Sequence, residues 1–378
     1  MLNLECRMSY QELRDIPTPA FLVDLHAVSR NCQAMREKAQ ASGVAFRPHM
    51  KTHKTLEIAR MQHGGAVGPL TVSTLAEAEL LAEGGFRDVT YAVPVAPGKL
   101  GRAATLARRL ERLNILLDSE ETLRAVEAFH AANGVVFDAF LKVDCGYHRA
   151  GVDPSSPDSA RLAAAMARSK ALRFNGLLTH AGHSYDAMTR EDVSRIAGEE
   201  TACLTRFRAL VAGETGQELL RSVGSTPTAS IVDSFAGCDE VRPGNYVFYD
   251  AFQATIGSCA PADVAVSVLT TVVGSYPERG QAIVDAGALA MSKDRGPEHV
   301  APACGYGVVC DLDLKPVGAR LIALSQEHGK LETSTHLPVG AKLRIVPNHS
   351  CLTAALFDRY QVIDGTTVVD EWRPVRGW

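Results

Sequence analysis

The segment from Val44 to Lys54 carries the side chain with the clearest chemical use, the amine of Lys51. The apolar start of the segment predicts a short strand, and Lys51 stands at its carboxyl end with His49 and His53 on either side. In parallel α/β folds, chemistry is carried out at the carboxyl ends of strands. A lysine held there among cationic and imidazole neighbours is suited to Schiff-base chemistry with a carbonyl cofactor. The alternative is an ordinary surface lysine that follows a strand.

A second chemical signal lies in the segment Val346–Cys351, at the end of a predicted C-terminal strand. His349 and Cys351 are two residues apart, so on an extended segment their side chains point the same way. Imidazole and thiolate together form a borderline-soft pair suited to Zn²⁺. Two protein ligands leave room for substrate or water, as Lewis-acid catalysis requires. The alternative is that the two residues share this spacing by coincidence.

Two small-residue turns after late strands are suited to binding a phosphate. The first, Ser222–Thr228, combines a glycine that allows close approach of the backbone with hydroxyls and amides that can donate hydrogen bonds. The second, Val241–Tyr246, adds further amides and a cation. Two such turns resemble the phosphate site commonly formed by the last loops of a barrel, although either fits an ordinary strand-to-helix turn. The candidate contacts are Ser222, Gly224, Ser225, Thr226, Arg242, Gly244 and Asn245.

A strand-then-helix rhythm surrounds these candidate residues. Between the strand-like segments lie stretches whose apolar residues recur at helical spacing, including Ala76–Ala82, Gly101–Arg109, Asp158–Ala171 and Ile196–Ala212. The repeated units predict an α/β fold with a parallel sheet, and their number favours a closed (β/α)8 TIM-type barrel. A doubly wound open sheet is the alternative. The predicted strands are Phe21–Leu25, Ala45–Lys51, Leu70–Thr74, Val89–Val95, Asn114–Asp118, Phe137–Asp144, Phe174–Thr179, Leu220–Gly224 and Val241–Tyr249.

After about Asp250 the pattern changes to alternating strands, and helical signatures nearly vanish. Tyr360–Asp364 and Thr367–Val369 flank Gly365 as the strands of a hairpin would. We therefore predict a barrel over residues 1–255 and a C-terminal β-rich domain over residues 256–378 that carries the metal pair, with about the first 18 residues packing on the β domain. The other predicted strands of this domain are Val264–Val273, Ala282–Ala286, Ala319–Leu324 and Lys342–Val346.

Composition limits the classes of protein that the chain can represent. Its 378 residues, 46% of them hydrophobic, exceed one typical domain and can form a large core. A net charge of −4 with mixed signs offers no basic face for nucleic acid. No apolar run reaches the ~18 residues of a membrane span, and the start, Met1–Cys6, lacks a signal peptide. Nine irregularly spaced cysteines fit reduced thiols, so we expect a cytoplasmic enzyme with a small-molecule substrate and no membrane partner.

Five motifs occur together along the chain: Thr18–Ala20, Arg47–Lys51, Thr179–Tyr185, Gln326–Gly329 and Pro347–Cys351. In combination they resemble those of the pyridoxal-phosphate enzymes of the alanine-racemase-like fold type III group. Within that group the chain is most similar to the zinc-dependent D-serine dehydratase and D-threo-3-hydroxyaspartate dehydratase family. The resemblance implies that Lys51 carries pyridoxal 5′-phosphate (PLP) and that His349 and Cys351 hold the metal. The soft thiolate favours Zn²⁺, with Mn²⁺ and Co²⁺ as alternatives.

The resemblance also implies roles for several polar residues. Arg149 would stabilise the phenolate oxygen of the cofactor. Tyr185 and His183 would lie above the cofactor, with Tyr185 contacting substrate or phosphate. Arg242 matches the position from which racemases of this group contact the pyridine nitrogen, where an arginine discourages ring protonation. A salt bridge inside the barrel is the alternative for Arg242. Candidates for the surroundings of the metal are Glu327 and His328.

The implied activity is that of a lyase that removes water from a D-3-hydroxy amino acid, giving a 2-keto acid and ammonia. D-threo-3-hydroxyaspartate, D-serine and D-threonine are the candidate substrates. Lys51 would remove the α-proton as general base, and the metal would assist departure of the β-hydroxyl. The family further implies a homodimer in which the C-terminal domain of one subunit lies near the barrel of the other.

Three alternatives stay open at this point. D-threonine and D-3-hydroxyaspartate aldolases share the fold and an equivalent lysine, and they would release glycine or a glycine-like product with an aldehyde. They carry an acidic residue in the metal motif and a glycine-rich phosphate turn, so His349–Cys351 and Ser222–Thr226 favour the dehydratases. A non-catabolic PLP-binding protein is the second alternative, although it has no need of a metal-binding β domain. A racemase is the third, and the His-x-Cys pair disfavours it because racemases of this group place a second acid–base residue there.

Overall fold

The computed structural model describes residues 11–378. They form two compact units. One unit, here called the barrel unit, comprises Cys32–Tyr246 and Val375–Trp378; the other, the β unit, comprises the described residues up to Asn31 together with Val247–Pro374. The expectations drawn from residues 1–10, including the lack of a signal peptide, lie outside the described residues.

The first two strands, β1 (Gln11–Glu12) and β2 (Ala20–Asp24), belong to the β unit. The sequence pattern counted Phe21–Leu25 among the strands of the β-α repeat, but the structure places β2 in the mainly antiparallel sheet instead. Phe21, Leu22 and Val23 are all fully buried, so both faces of this strand are covered. A strand that is buried on both faces is a continuous apolar run in either a parallel or an antiparallel sheet. The local sequence pattern therefore does not tell to which sheet the strand belongs.

The barrel unit contains an eight-stranded parallel sheet in the order β3-β10-β9-β8-β7-β6-β5-β4. A parallel bridge between His49 and Thr71 joins the segment after β3 to β4, which links the two ends of the sheet. The predicted (β/α)8 barrel is thereby confirmed. The strands are β3 (Ala45–Phe46), β4 (Leu70–Val72), β5 (Asp88–Pro94), β6 (Arg112–Leu117), β7 (Phe137–Lys142), β8 (Leu172–Leu178), β9 (Leu220–Val223) and β10 (Glu240–Val241).

Helices alternate with these strands, and several begin at the hydroxyl or carboxylate caps that favour helix starts. Thr74, Ser119, Thr189 and Ser225 each accept a backbone N–H of the first helical turn. The helices are α1 (Leu25–Ala41), α2 (Leu56–Gln62), α3 (Leu75–Glu83), α4 (Leu100–Ala107), α5 (Glu120–Asn133), α6 (Pro157–Arg168), α7 (Arg190–Thr215), α8 (Thr226–Ile231), α9 (Ala251–Thr255), α10 (Ala288–Met291) and α11 (Ser350–Ala354).

The β unit is built on a ten-stranded, mainly antiparallel sheet in the order β1-β18-β17-β2-β11-β12-β15-β14-β13-β16, and β16 also pairs with β11. The β-rich character predicted after Asp250 is confirmed, as is the hairpin around Gly365, which has a positive φ of 61°. The remaining strands are β11 (Val266–Tyr276), β12 (Gln281–Val284), β13 (Gly307–Cys310), β14 (Pro316–Leu324), β15 (Gly329–Glu332), β16 (Lys342–Pro347), β17 (Tyr360–Asp364) and β18 (Thr367–Trp372).

Aromatic side chains fill the core of the β unit around β2. The ring of Phe21 lies 4.9 Å from that of Tyr360 and 6.0 Å from that of Phe248, within the range of favourable aromatic pairs.

Across residues 11–378, no helix has both the length and the apolar character needed to span a bilayer.

Candidate active site

Lys51 lies in a short 3-10 turn, Met50–Thr52, that follows β3 of the barrel unit. The turn begins at His49, whose Nδ1 accepts the backbone N–H of Lys51 at 3.3 Å. The bridge from His49 to Thr71 on β4 fixes the backbone immediately before the turn. The structure thus places the Lys51 side chain at the carboxyl end of a barrel strand, where the sequence had indicated it.

His49 is a neutral imidazole of defined tautomer. Burial, with further contributions from the nearby cations Lys51 and Arg242, holds the pKa of His49 well below its usual range. Because Nδ1 accepts from the Lys51 amide, the ring proton resides on Nε2, which donates to Oγ of Ser73 at 3.3 Å. The neutral ring therefore orients the lysine turn without adding charge beside the amine.

The Lys51 turn opens into a cavity of about 300 Å³. Four cationic side chains line the cavity, those of Lys51, Lys142, Arg149 and Arg242. Hydroxyls from Ser225 and Thr226 lie on the same wall, and no acidic side chain of residues 11–378 is among the lining residues. A concave site with an amine, hydroxyl donors and several cationic side chains is suited to a polyanionic carbonyl compound, and PLP has these properties.

Two of the predicted turns form one side of this cavity. Ser225 caps α8, and its Oγ lies 2.9 Å from Oγ of Ser184. Oγ of Thr226 accepts the backbone N–H of Tyr246 at 3.2 Å, which ties the first turn to the second. Gly244 passes close to His49, because a Cβ there would lie 3.0 Å from Cβ of His49, a tight contact. The lining residues from the two turns are Ser225, Thr226, Arg242, Gly244 and Asn245.

Ser222 and Gly224 lie behind the cavity wall rather than on it. Oγ of Ser222 donates to Glu240 at 2.6 Å and accepts from Nε of Arg242 at 2.7 Å. A Cβ at Gly224 would lie 2.9 Å from the backbone of Arg242, so this glycine allows the close approach of two strand ends. The cofactor contacts predicted for both residues stay a prediction, and their observed contacts serve to hold Arg242.

Arg242 is buried, with hydrogen-bond acceptors around its guanidinium, and it also lines the cavity. Besides Ser222, its guanidinium donates to the carbonyl oxygen of Thr179. Burial lowers the pKa of Arg242 to about 10, although Glu240 and Glu200 oppose that shift. The group remains a fixed cation at neutral pH. Both predicted roles of Arg242 are compatible with this placement, because Glu240 attracts the guanidinium electrostatically and the residue lines the cavity.

Glu200, which the sequence did not indicate, anchors two loops of the site. It is almost completely buried on α7, and its Oε1 accepts the backbone N–H groups of Ala181 at 3.0 Å and Gly224 at 3.3 Å. Burial raises the pKa of the Glu200 carboxyl, whereas those two amides and Arg242 oppose the shift. One carboxylate oxygen thereby joins the loop after β8 to the turn after β9.

The loop after β8 carries further cavity residues. His180 donates from Nδ1 to the carbonyl oxygen of Gly224 at 2.5 Å, and burial together with Lys51 and Lys142 holds the pKa of His180 well below its usual range. Tyr185, in the 3-10 turn Gly182–Asp186, lines the cavity as predicted for a cofactor contact. His183 does not line the cavity, and its ring lies 6.3 Å from the ring of Tyr147.

Arg149 is an exposed side chain that borders the cavity. Its guanidinium lies 5.1 Å from the centre of the Tyr147 ring, a cation–π contact that limits the orientations of the arginine. The phenolate role predicted for Arg149 needs a cation at this border, which the structure provides.

The second predicted site, the His349–Cys351 pair, lies in the β unit where β16 leads into α11. Nδ1 of His349 lies 2.8 Å from Oδ2 of Asp294, and the Cys351 side chain hydrogen-bonds to His349. Burial alone would lower the pKa of His349, but Asp294 and Cys351 together raise it well above its usual range. The backbone of the turn is held by Asp250, whose Oδ2 accepts both the N–H and the hydroxyl of Ser350, at 3.0 and 3.2 Å.

This arrangement fits a metal that takes two ligands from the protein pair. A carboxylate bound to one imidazole nitrogen is the usual orienting partner of a metal-bound histidine, and Asp294 occupies that position. Within residues 11–378, no three His, Cys, Asp or Glu side chains are grouped so as to hold a metal ion. Glu327 and His328, predicted to surround the metal, are exposed in the turn between β14 and β15. The acidic side chain that hydrogen-bonds to His349 is that of Asp294.

Comparisons with known proteins identify two family models that match the chain. The family model of the alanine racemase N-terminal domain matches residues 23–251, and that of a putative serine dehydratase domain matches residues 265–363. D-threo-3-hydroxyaspartate dehydratase of Delftia sp. (strain HT23) is 40% identical, covering 97% of this chain and 99% of that protein. D-serine dehydratase of Dictyostelium discoideum is 37% identical, with 97% and 98% covered. A 3-hydroxy-D-aspartate aldolase of Paracoccus denitrificans is 28% identical, with 95% and 91% covered.

A solved structure of one of these dehydratases is also similar to this chain. A cysteine-to-alanine variant of D-threo-3-hydroxyaspartate dehydratase, in its metal-free form, superposes with a TM-score of 0.90 at 38% identity and covers 97% of this chain and 100% of that one. The chain therefore belongs to the alanine-racemase-like, fold type III family of PLP enzymes, in the branch that contains the D-threo-3-hydroxyaspartate and D-serine dehydratases.

Proposed function

We propose that the protein is a PLP- and zinc-dependent lyase that removes water from a D-3-hydroxy amino acid, giving a 2-keto acid and ammonia. The observation that carries the proposal is the barrel cavity, which presents the Lys51 amine among cations with no acidic lining residue in the described chain. The higher identity to two dehydratases, 40% and 37%, than to an aldolase, 28%, favours elimination over carbon–carbon cleavage.

The cavity residues fit PLP, and we assign its contacts accordingly. Lys51 would hold the carbonyl carbon, and the turns at Ser225–Thr226 and Gly244–Asn245 would receive the phosphate. Arg149 and Tyr185 would border the ring, and Arg242 would face its nitrogen as a fixed cation. When bound, PLP supplies an electron-withdrawing group that acidifies the α-hydrogen of an amino acid substrate.

In the proposed reaction Lys51 is the general base. Its Nζ, when neutral, accepts the proton from Cα, and a base on one face of a bound substrate accounts for selection of the D-enantiomer. The neutral state of His49 matters here, because a protonated imidazole two residues away would repel the ammonium that forms when Lys51 accepts the proton. The surrounding hydrogen bonds, from Lys51 N–H to His49 and from His49 to Ser73, hold the lysine turn in place during proton transfer.

The proposed metal ligands are His349 and Cys351, and Zn²⁺ is the proposed metal because a thiolate ligand favours it over Mn²⁺ or Co²⁺. A bound Zn²⁺ supplies a Lewis acid that turns the β-hydroxyl into a better leaving group. Asp294 would fix the orientation of His349, leaving the other imidazole nitrogen for the metal.

The proposal includes a cytoplasmic homodimer, as the family resemblance implies. Eight cysteines of the described chain are free thiols, which is the state expected in a reducing compartment.

The test is identification of products. The purified protein, loaded with PLP and Zn²⁺, is incubated separately with D-threo-3-hydroxyaspartate, D-serine and D-threonine, and the products are identified by mass spectrometry. Keto acid and ammonia in equal amounts establish the dehydratase and rank its substrates. Glycine with an aldehyde would establish the aldolase instead, and binding of PLP with no product would establish a non-catabolic PLP-binding protein. Lys51→Ala is the matched control for background reactions of free PLP.

A further inference from the structure

Lys142 is a second lysine in the barrel cavity, and neither the sequence motifs nor the proposed reaction uses it. It is the last residue of β7, it lines the cavity, and only 6% of it is exposed. A lysine is almost never buried to this degree without a partner. Its position therefore needs a functional explanation.

Strand alternation explains why the side chain points into the barrel. On β7, Asp138, Phe140 and Lys142 share one face because side chains two residues apart point the same way. Asp138 is bound by Arg173 and Asn175. Between Asp138 and Lys142 lies an apolar cluster in which Phe140 packs against Leu116 and Leu178. This cluster separates the Lys142 ammonium from Asp138, the acid within β7, and Asp144, two residues after Lys142, binds His148 instead.

The ammonium has no partner among the residues that the structure describes. Neither a hydrogen-bond acceptor nor an ion-pair partner for Nζ occurs in residues 11–378. Glu200 acts on Lys142 only through longer-range attraction, because its Oε1 is engaged by the amides of Ala181 and Gly224. Burial, followed by repulsion from Arg242, lowers the pKa of Lys142 to about 8, so the amine is still mainly protonated at neutral pH.

We infer that Lys142 is an anion-binding residue of the cavity, and that its counter-ion is an anionic oxygen of the bound ligand. The inference deepens the proposed function and rests on it for the identity of that ligand. Two sources offer the same chemistry, namely an oxygen of PLP and a carboxylate of the amino acid substrate. Either one would place a negative charge beside a buried cation, where a charge-assisted hydrogen bond is strong.

The experiment uses Lys142→Met, which keeps the length and removes the charge, with Lys142→Gln as a second variant. Lys99→Met is the matched control, because Lys99 lies outside the cavity lining and contacts Tyr91. Apoenzyme is titrated with PLP by absorbance, and the PLP-loaded enzyme is titrated with D-serine and D-threo-3-hydroxyaspartate by the change in cofactor spectrum. Neither readout requires turnover, so the result is independent of which reaction the enzyme catalyses.

An increase of about tenfold to a hundredfold in the dissociation constant for PLP identifies the cofactor as the source of the anion. An unchanged constant for PLP with weaker binding of the amino acids by the same factor identifies the substrate carboxylate. If only the dicarboxylic substrate is affected, the counter-ion is its β-carboxylate. The inference is overturned if the variant binds PLP with the dissociation constant of the wild type and also binds the amino acids as the wild type does. The case in which neither protein binds the amino acids counts as the second condition.

The stability of the apoenzyme separates this role from a structural one. An unpaired buried cation destabilises the fold, so the apo form of Lys142→Met should melt at or above the temperature of the wild type. A structural lysine would give the opposite sign. A lower melting temperature in both Lys142→Met and Lys142→Gln, with Lys99→Met unchanged, would therefore also overturn the inference.

Discussion

Glu200 offers the sharpest test of how the cavity is assembled. Its Oε1 accepts two backbone N–H groups, from Ala181 and Gly224, that belong to different loops. In Glu200→Ala both amides lose their acceptor, and both lie in the protein interior. In Glu200→Gln the side-chain carbonyl oxygen still accepts both, while the negative charge is lost. The pair of variants therefore separates the hydrogen bonds from the charge.

The expected magnitude follows from the number of amides. An unsatisfied buried donor costs about 1–3 kcal/mol, so two would cost about 2–6 kcal/mol. Part of this loss of stability is offset, because the variant no longer buries the carboxyl. In the wild type, burial of that group is unfavourable and raises its pKa. We therefore expect Glu200→Ala to lower the free energy of unfolding by about 2–4 kcal/mol and Glu200→Gln by about 1 kcal/mol.

The assay is urea unfolding followed by circular dichroism, with titration of PLP into each apoenzyme. Glu199→Ala is the matched control, because Glu199 is the preceding residue of α7 and its exposed side chain pairs with Arg195 on the same helix. We expect PLP affinity to fall about tenfold in Glu200→Ala, since the Gly224 turn leads directly to Ser225 and Thr226. A loss of stability in Glu200→Ala no larger than in Glu199→Ala would refute the reasoning, as would equal losses in the Ala and Gln variants.

Three further predictions concern single residues. Lys51→Ala should remove the visible absorbance of bound PLP while retaining zinc, and Cys351→Ala should do the reverse; absorbance and metal analysis of both proteins check this division. Asp294→Asn should weaken zinc binding about tenfold to a hundredfold, measured by competition with a chelator, because His349 loses a charged orienting partner. Burial lowers the pKa of His53 to about 3, so below about pH 6.5 the unfolded chain binds a proton that the folded chain does not. Stability should fall by roughly 1.6 kcal/mol between pH 6.5 and 5 from this group, and unfolding of His53→Asn at several pH values should show a slope shallower by about one proton.

Most of the fold could be predicted because the barrel strands are apolar runs bounded by turn residues. The exceptions have identifiable causes. Val241–Tyr249 was predicted as one strand, but β10 ends at Val241, since Pro243 cannot donate to a ladder and Gly244 must pass close to His49. The prediction for β2 was wrong about its sheet, because the sequence of a strand buried on both faces does not indicate which strands pair with it.

The predicted site residues have one property in common, namely that each belongs to a short motif. Lys51 follows a strand, and His349 and Cys351 are two residues apart, so a local pattern reveals them. Asp294 is 55 residues from His349, and Glu200 is 24 from Gly224, so no spacing rule joins them. Lys142 has a local signal, because it stands on the same face of β7 as Phe140, two residues before it, where an apolar side chain would be expected.

Charge in the barrel unit is arranged so that stability and ligand binding oppose each other. The acids near the cavity hydrogen-bond to groups that are not the cavity cations. Glu240 binds Ser222 and Arg47, and Glu200 binds two backbone amides. The cations that line the cavity consequently have no acid facing them from the lining residues of the described chain. Clustered positive charge destabilises the empty barrel and attracts an anion to it, and both effects have the same electrostatic origin. A polyanionic cofactor should therefore raise the melting temperature by more than its contact area alone would give, and high salt, which screens the repulsion, should reduce that increment.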